Sequence, residues 1–252
     1  MSRTFELLQR LEKEQELTAP TAPVHAPASL QAVPALEPTD HHSLLHRMGE
    51  EEVVKLVQRV FRAADGPHVV TFSAVQHGEG TSWMCSSAAM TLANQVNASI
   101  CVVDANLRTP SLHRYFGAEN RLGLSEAVVQ AGPIRGFAQQ ISGSNLWLLP
   151  SGVTGSQSLS PLNSEGLRVR MNELRTEFNY VLIDAPPANL YADAITLGRL
   201  SDGIIMVLQS NSTKRETALK VKESFEAAKV RLLGAVLNKR TFPIPQGIYE
   251  KL

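Results

Sequence analysis

The stretch that decides the fold is HVVTFSAVQHGEGTS, residues 68–82. Its first half, from Val69 to Ser73, is a run of β-branched and apolar residues that predicts a buried strand. The HGEG segment predicts a tight turn, since glycine adopts positive φ and lets the backbone approach a ligand closely. Thr81 and Ser82 then open an apolar helix. A strand, a glycine loop and a helix in this order aim backbone N–H groups and a positive helix end at an anion.

The residue after Gly80 is unusual for such a loop. A phosphate-binding loop carries a lysine there, which reaches the β- and γ-phosphates, and this chain has Thr81 instead. The next residue, Ser82, has the hydroxyl that would bind Mg²⁺. The sequence therefore predicts a nucleotide site with impaired chemistry. The predicted binding residues of the loop are His77, Gly78, Glu79, Gly80, Thr81, Ser82 and Trp83.

Strands and helices alternate along the rest of the chain. Strands are predicted at 68–74, 98–104, 145–150, 180–185, 203–208 and 232–237, and helices at 51–63, 81–95, 123–131, 162–177, 191–200 and 214–228. Several strands are apolar throughout, without the alternation of a sheet that has one wet face. This predicts an α/β fold in which a mostly parallel, doubly wound sheet is flanked by helices on both faces. A ligand then binds outside the carboxyl ends of the strands.

Three segments are expected in the chain. Residues 1–17 predict a charged docking helix that is too short to fold alone. Residues 18–41 form a Pro/Ala-rich linker, and residues 42–252 form the globular domain.

Composition narrows the function classes. The 252 residues include 24 Lys+Arg and 24 Asp+Glu, so the formal net charge is zero and gives no bulk field for nucleic acid. The two cysteines, Cys85 and Cys101, fit core thiols in a reducing compartment. No apolar run approaches the roughly 18 residues of a spanning helix. We therefore expect a cytoplasmic protein.

Polar residues follow three of the predicted strands. Asp104 and Asp184 each come directly after four apolar residues, and Asn238 ends the last strand. Carboxylates placed there hold metal-bound water or position a phosphate, and an asparagine amide reads an adenine edge. Arg108, shortly after Asp104, is a candidate to pair with a phosphate.

These motifs together resemble the bacterial tyrosine kinases of capsule and exopolysaccharide biosynthesis, P-loop NTPases akin to the partition and septum-placement ATPases. The resemblance runs from about Glu50 to Lys239 and rests on four stretches in order. They are HGEGTS at 77–82, DANLRTPSLHRYF at 104–116, IDAPP at 183–187 and GAVLN at 234–238.

The resemblance implies ATP or ADP with Mg²⁺ as ligands, ring-like self-association, and a membrane adaptor that sets polysaccharide chain length. It also implies catalytic roles at Asp104, Asn106 and Asp184, metal binding by Ser82, Asp104 and Asp184, and nucleotide contacts from Arg108 and Asn238.

The chain departs from the family pattern at the phosphate end of the site. Thr81 replaces the loop lysine, and Gln76 stands where the partition ATPases have a second lysine. Asn106 replaces an acid, and an amide cannot accept the proton of an attacking hydroxyl. Binding through backbone amides and Mg²⁺ is expected to survive in weakened form, and kinase activity to be weak or absent. Another cation, Arg108 or Lys214, is an open alternative to the lysine.

Two further departures concern regulation. The self-association signature, an acid followed by two arginines, reads Glu52, Lys55 and Gln58, so one cation is missing. The tyrosine-rich tail of the family is reduced to Tyr249. Ring formation and multi-site autophosphorylation are therefore both in question.

Two other function classes remain open at this point. A partition or septum-placement ATPase scaffold has the same loop and strand-end acids, although zero net charge disfavours DNA binding. A dinucleotide-dependent oxidoreductase has a similar glycine fingerprint followed by an acid. Its third position needs a small residue, and Trp83 is the largest side chain available.

Overall fold

The computed structural model describes residues 40–63, 65–153 and 165–240, with side chains described from residue 51 onward. Apart from the first residues of the first helix, all of these lie in the compact unit Ser43–Leu252. The predicted docking helix at 1–17, the linker up to residue 39 and Tyr249 lie outside the described residues.

Seven strands and seven α-helices are described in these ranges. In chain order they are α1 (Asp40–Phe61), β1 (Val69–Ala74), α2 (Thr81–Gln95), β2 (Ile100–Asp104), α3 (Leu112–Tyr115), α4 (Leu124–Val129), a 3₁₀ turn (Ile134–Gly136), β3 (Gln139–Gln140), β4 (Leu146–Leu149), α5 (Glu165–Glu177), β5 (Tyr180–Ala185), α6 (Asp193–Leu200), β6 (Gly203–Gln209), α7 (Arg215–Ala227) and β7 (Leu232–Asn238).

The strands form one sheet in the order β3-β4-β2-β5-β1-β6-β7. Every pairing is parallel except that of β3 with β4. The predicted α/β class with a mostly parallel sheet is confirmed. The short polar strand β3 was missed, because two glutamines carry neither the length nor the apolar pattern of a strand.

Apolar cores cover both faces of the sheet. Neighbouring residues of β1 point to opposite sides, so Val69 packs in one core with Leu197 and Phe225, from α6 and α7. Val70 packs in the other core with Val57 of α1 and Leu92 of α2. Burial on both faces explains why the central strands lack alternation. The thiols Cys85 and Cys101 are free and buried in these cores, as expected.

The site is positioned by the carboxyl ends of the three central strands. Strand β1 leads into the glycine loop and α2, while β2 and β5, which pair with each other, end at two acids. Because parallel strands end at the same edge, residues about 100 positions apart in sequence are brought together there. Among the described residues, no helix has both the length and the apolarity to cross a membrane.

Candidate functional site

The loop between β1 and α2 has the backbone conformation of an anion cradle. Gly78 has φ of 82° and Gly80 has φ of 93°, both in the left-handed region that glycine alone adopts freely. Helix α2 starts directly after Gly80, whose carbonyl accepts the Met84 N–H at 3.0 Å. The free N–H groups of the first turn of α2 therefore open towards the edge of the sheet.

The Glu79 side chain stabilises this loop from inside. The Glu79 residue is 3% exposed, and one carboxylate oxygen accepts the backbone N–H groups of Val75 and Gln76 at 2.8 and 2.9 Å. The other oxygen accepts the hydroxyl of Thr213, in the loop between β6 and α7. Glu79 is therefore placed to hold the loop in shape through its side chain, and its carboxylate points away from solvent.

The end of β7 contacts the loop through two side chains. The Asn238 amide donates to the Glu79 carbonyl at 2.9 Å, and the Lys239 ammonium donates to the Gly78 carbonyl at 2.6 Å. A Cβ atom on Gly80 would lie 2.3 Å from Asn238 Nδ2, so the close approach of β7 requires glycine there.

The two strand-end acids are neighbours. Asp104 and Asp184 are paired in register across β2 and β5, and both are fully buried. One oxygen of Asp104 accepts the N–H groups of Ser111 and Leu112 at 2.9 and 3.0 Å. The other oxygen of Asp104 and both oxygens of Asp184 have no hydrogen-bond partner among the described residues.

Burial and proximity make both acids hard to ionise. Burial raises the pKa of Asp104 to about 6, although backbone hydrogen bonds from Leu112, Ser111 and Asn106 oppose the shift. The pKa of Asp184 is raised well above its ordinary value, first by burial and then by the charge of Asp104, while the nearby Ser82 hydroxyl lowers it. Two neighbouring buried carboxylates, with three of their four oxygens lacking a partner among the described residues, are the setting of a cation site or a shared proton.

The donor set fits Mg²⁺. Magnesium takes one or two carboxylates and keeps several waters and substrate phosphates, so it needs no cage of protein ligands. The described residues contain no group of three or more His, Cys, Asp or Glu side chains able to hold a metal. Asp104 and Asp184 with the Ser82 hydroxyl beside them match the two-carboxylate pattern, and their unpaired buried oxygens are the observation that supports it.

Two predicted site residues have partners of their own. The Arg108 guanidinium donates to Asp193 at 3.2 Å and lies 3.9 Å from the ring centre of Tyr191. The Asn106 side-chain oxygen accepts the N–H of Thr109 at 3.3 Å, so it closes the turn after β2. Both residues lie near Asp104 in sequence, yet Arg108 Nε and the Asn106 side-chain oxygen are engaged with the protein.

The remaining predicted residues of the loop differ in exposure. His77 and Trp83 are exposed, with 37% of Trp83 accessible, and Thr81 and Ser82 are half-buried at the start of α2. Lys214 is exposed before α7, and none of the hydrogen bonds in the described ranges joins its side chain to the loop.

Sequence reasoning missed Thr213 and Lys239. The Thr213 hydroxyl contacts Glu79 and the Lys239 ammonium contacts Gly78, across 134 and 161 residues of sequence respectively. The available signal was adjacency, since Lys239 directly follows the singled-out Asn238 and Thr213 precedes the singled-out Lys214.

The chain is similar in sequence to bacterial tyrosine-protein kinases. The chain is 32% identical over 161 residues to the tyrosine-protein kinase YwqD of Bacillus subtilis, covering 64% of this chain and 68% of that protein. It is 27% identical over 172 residues to the tyrosine-protein kinase CpsD of Streptococcus agalactiae, covering 68% and 74%. No protein-family model matches the chain.

Solved structures agree on the fold. The kinase domain of VpsO superposes with a TM-score of 0.74 at 22% identity, covering 81% of this chain and all of that domain. The cell division ATPase MinD of Pyrococcus furiosus gives a TM-score of 0.60 at 18% identity, covering 73% and 78%. An ATP complex of McdA from Cyanothece gives 0.54 at 20% identity, covering 68% of each chain.

Proposed function

The chain belongs to the bacterial tyrosine-protein kinases, and from this premise we propose that it is an ATP-binding regulator of capsule or exopolysaccharide polymerisation and export. It acts through a membrane adaptor at the inner face of the plasma membrane, and its own kinase activity is weak or absent.

The observation that carries the proposal is a glycine loop beside two buried strand-end acids, with no lysine or arginine in the loop itself. The glycine loop is stabilised by Glu79 and Asn238, and Asp104 and Asp184, with three orphaned oxygens between them, end two strands at the same edge of the sheet. Backbone N–H groups at the start of α2 bind phosphate without a charged side chain. Mg²⁺ held by Ser82, Asp104 and Asp184 would bring the positive charge that neutralises nucleotide phosphates there.

Weak chemistry follows from two side chains. With Thr81 in the lysine position, a donor to the charge that develops on the transferred phosphate is missing, and such a loss costs on the order of 10²–10³ in rate. Asn106 cannot take a proton from an attacking hydroxyl, and its amide oxygen already accepts the Thr109 N–H. We therefore expect the protein to bind ATP without transferring its phosphate quickly.

Regulation through a partner is supported by the family resemblance and by the surface of α1. Lys55 of the self-association signature forms an ion pair with Glu52 of the same helix at 2.7 Å. Both side chains are exposed, so the pair is worth little by itself and leaves the surface open to a partner or a second copy.

Calorimetric titration of Mg·ATP and Mg·ADP tests the proposal, on the full chain beside Thr81→Lys. Thr81→Met is the matched control, because it adds length without charge. The same three proteins are incubated with radiolabelled ATP, and phosphate transfer to tyrosine is measured. Binding of the adaptor's cytoplasmic segment is then compared with and without nucleotide.

We expect wild type to bind nucleotide in the micromolar range with little transfer, and Thr81→Lys, but not Thr81→Met, to bind more tightly. Fast transfer by wild type would overturn the assignment of weak kinase activity. Absence of binding by wild type would overturn the nucleotide part, and equal adaptor binding with and without nucleotide would overturn the regulatory part.

A further inference from the structure

Lys239 is the cation that the fold brings to the phosphate loop. Its ammonium lies 2.6 Å from the Gly78 carbonyl, and its Cε would lie 3.9 Å from a Cβ atom built on Gly80. The side chain therefore runs along both glycines of the cradle. We propose that Lys239 supplies to the phosphates of a bound nucleotide the positive charge that the loop lost at Thr81. This inference rests on the proposed nucleotide binding.

The backbone turns Lys239 towards the loop. Strand β7 ends at Asn238, and Lys239 has φ of 54°, in the left-handed region that a non-glycine residue seldom adopts. Asn238 fixes the strand end against the loop through the Glu79 carbonyl. The two residues thus form one clamp, in which Asn238 holds the backbone and Lys239 carries the charge.

The lysine is free to change partner. Lys239 is exposed, and its only hydrogen-bond partner among the described residues is a neutral carbonyl. An ammonium on a flexible four-carbon stem moves between acceptors within its reach, and an anionic phosphate is a stronger acceptor than a carbonyl. The N–H cradle that would place the phosphates begins at the same two glycines.

The other candidate cations are less suited to this role. The guanidinium of Arg108 already pairs with Asp193 and stacks on Tyr191. Lys214 is exposed at the start of α7, and no hydrogen bond of its side chain reaches the loop within the described ranges. Lys214 is therefore the matched control for Lys239.

The experiment measures the affinity of the full chain for Mg·ATP, Mg·ADP and AMP by calorimetry. Lys239→Met removes the charge and keeps an unbranched side chain, Lys239→Arg keeps the charge, and Lys214→Met is the control. Unfolding by urea is followed for each variant. Loss of the hydrogen bond from Lys239 to the Gly78 carbonyl would lower the stability of the protein, whereas loss of a contact with a bound phosphate would not.

We expect Lys239→Met to weaken Mg·ATP binding by roughly 10- to 100-fold, as for loss of a charged hydrogen-bond donor. The loss should be smaller for AMP, and Lys239→Arg should retain most of the affinity. In the Thr81→Lys background the effect of Lys239→Met should shrink, since the loop then has its own cation.

Three results overturn the inference. If wild type binds and Lys239→Met behaves like Lys214→Met, the inference alone is wrong and the proposed function stands. If only Thr81→Lys binds, no cation replaces the lost lysine. If neither wild type nor Thr81→Lys binds any nucleotide, the proposed nucleotide function fails and the inference fails with it.

Discussion

Asp104 and Asp184 stand side by side at the ends of two paired strands, and three of their four carboxylate oxygens have no hydrogen-bond partner among the described residues. Such a pair destabilises the empty protein, because two buried negative charges repel each other and have lost their hydration. A bound cation would remove this cost. The fold therefore holds unfavourable electrostatic energy where a ligand is expected to act.

We predict that Asp184→Asn stabilises the nucleotide-free protein at pH 7. The folded-state pKa of Asp104 is about 6 and that of Asp184 is raised, so the folded state binds more protons than the unfolded state as the pH rises from about 4 through 6. Unfolding free energy then falls as pH rises through this window. The variant should therefore be more stable than wild type at pH 7, and its advantage should shrink at pH 5. Urea unfolding at pH 5 and pH 7 measures it.

Asp202→Asn is the control of opposite sign for this prediction. Partial burial by itself raises the pKa of Asp202. Hydrogen bonds from Val69, Arg175 and His68 together lower it by more than burial raises it, so the net shift of the pKa is downward. Its stabilisation is therefore present at pH 7 and is lost as the pH falls through its folded-state pKa. Asp202→Asn should be less stable than wild type at pH 7. If both variants changed the unfolding free energy at pH 7 by the same amount and in the same direction, the electrostatic explanation would be contradicted.

The sequence predicted the sheet and its strand-end acids because each depends on short-range pattern. Runs of apolar residues predict strands that are buried on both faces of the sheet. In a parallel sheet, the ends of such strands place Asp104 and Asp184 at one edge. The contacts of Lys239 and Thr213 depend instead on how two loops turn after the strands end. A left-handed residue such as Lys239, with φ of 54°, is not readable from composition. For the same reason, Arg108 was expected at a phosphate, and its pairing with Asp193 emerged only from the fold.

Glu79→Ala should destabilise the protein by about 1–3 kcal/mol, because it leaves the partly buried N–H of Gln76 without an acceptor and the N–H of Val75 with only its 3.3 Å bond to the Val207 carbonyl. Thr213→Val removes the hydroxyl contact with Glu79 and also the acceptor of the Gln209 N–H at 2.8 Å, so it should cost about 1–2 kcal/mol. Chemical denaturation of both single variants and the double variant completes a mutant cycle. A coupling energy of at least about 0.5 kcal/mol is expected, since the two side chains share a hydrogen bond. Strict additivity would show that the bond contributes nothing.

Arg108→Met should lower stability by about 1 kcal/mol and leave affinity for Mg·ATP within roughly threefold of wild type. Its guanidinium is only partly exposed and is engaged by Asp193 and Tyr191. Asp193→Asn should cost a similar amount, and the two effects should not add, because both variants break the same pair. Stability by denaturation and affinity by calorimetry are measured on the same samples. A tenfold loss of affinity in Arg108→Met alone would contradict this prediction and support the sequence-based assignment of Arg108 to a phosphate.

Substitutions at Gly78 and Gly80 distinguish the cost of a positive φ from the cost of a steric clash with a neighbouring residue. Both have positive φ, but a Cβ on Gly78 would meet nothing within 4 Å, whereas one on Gly80 would lie 2.3 Å from the Asn238 amide. Gly78→Ala should therefore cost about 1–2 kcal/mol of conformational strain. Gly80→Ala should cost more, because Asn238 must also give up its bond to the Glu79 carbonyl. In the Asn238→Ala background the cost of Gly80→Ala should fall to that of Gly78→Ala. Denaturation of these variants measures the difference, and an unchanged cost of Gly80→Ala in that background would mean that Asn238 is not what requires glycine there.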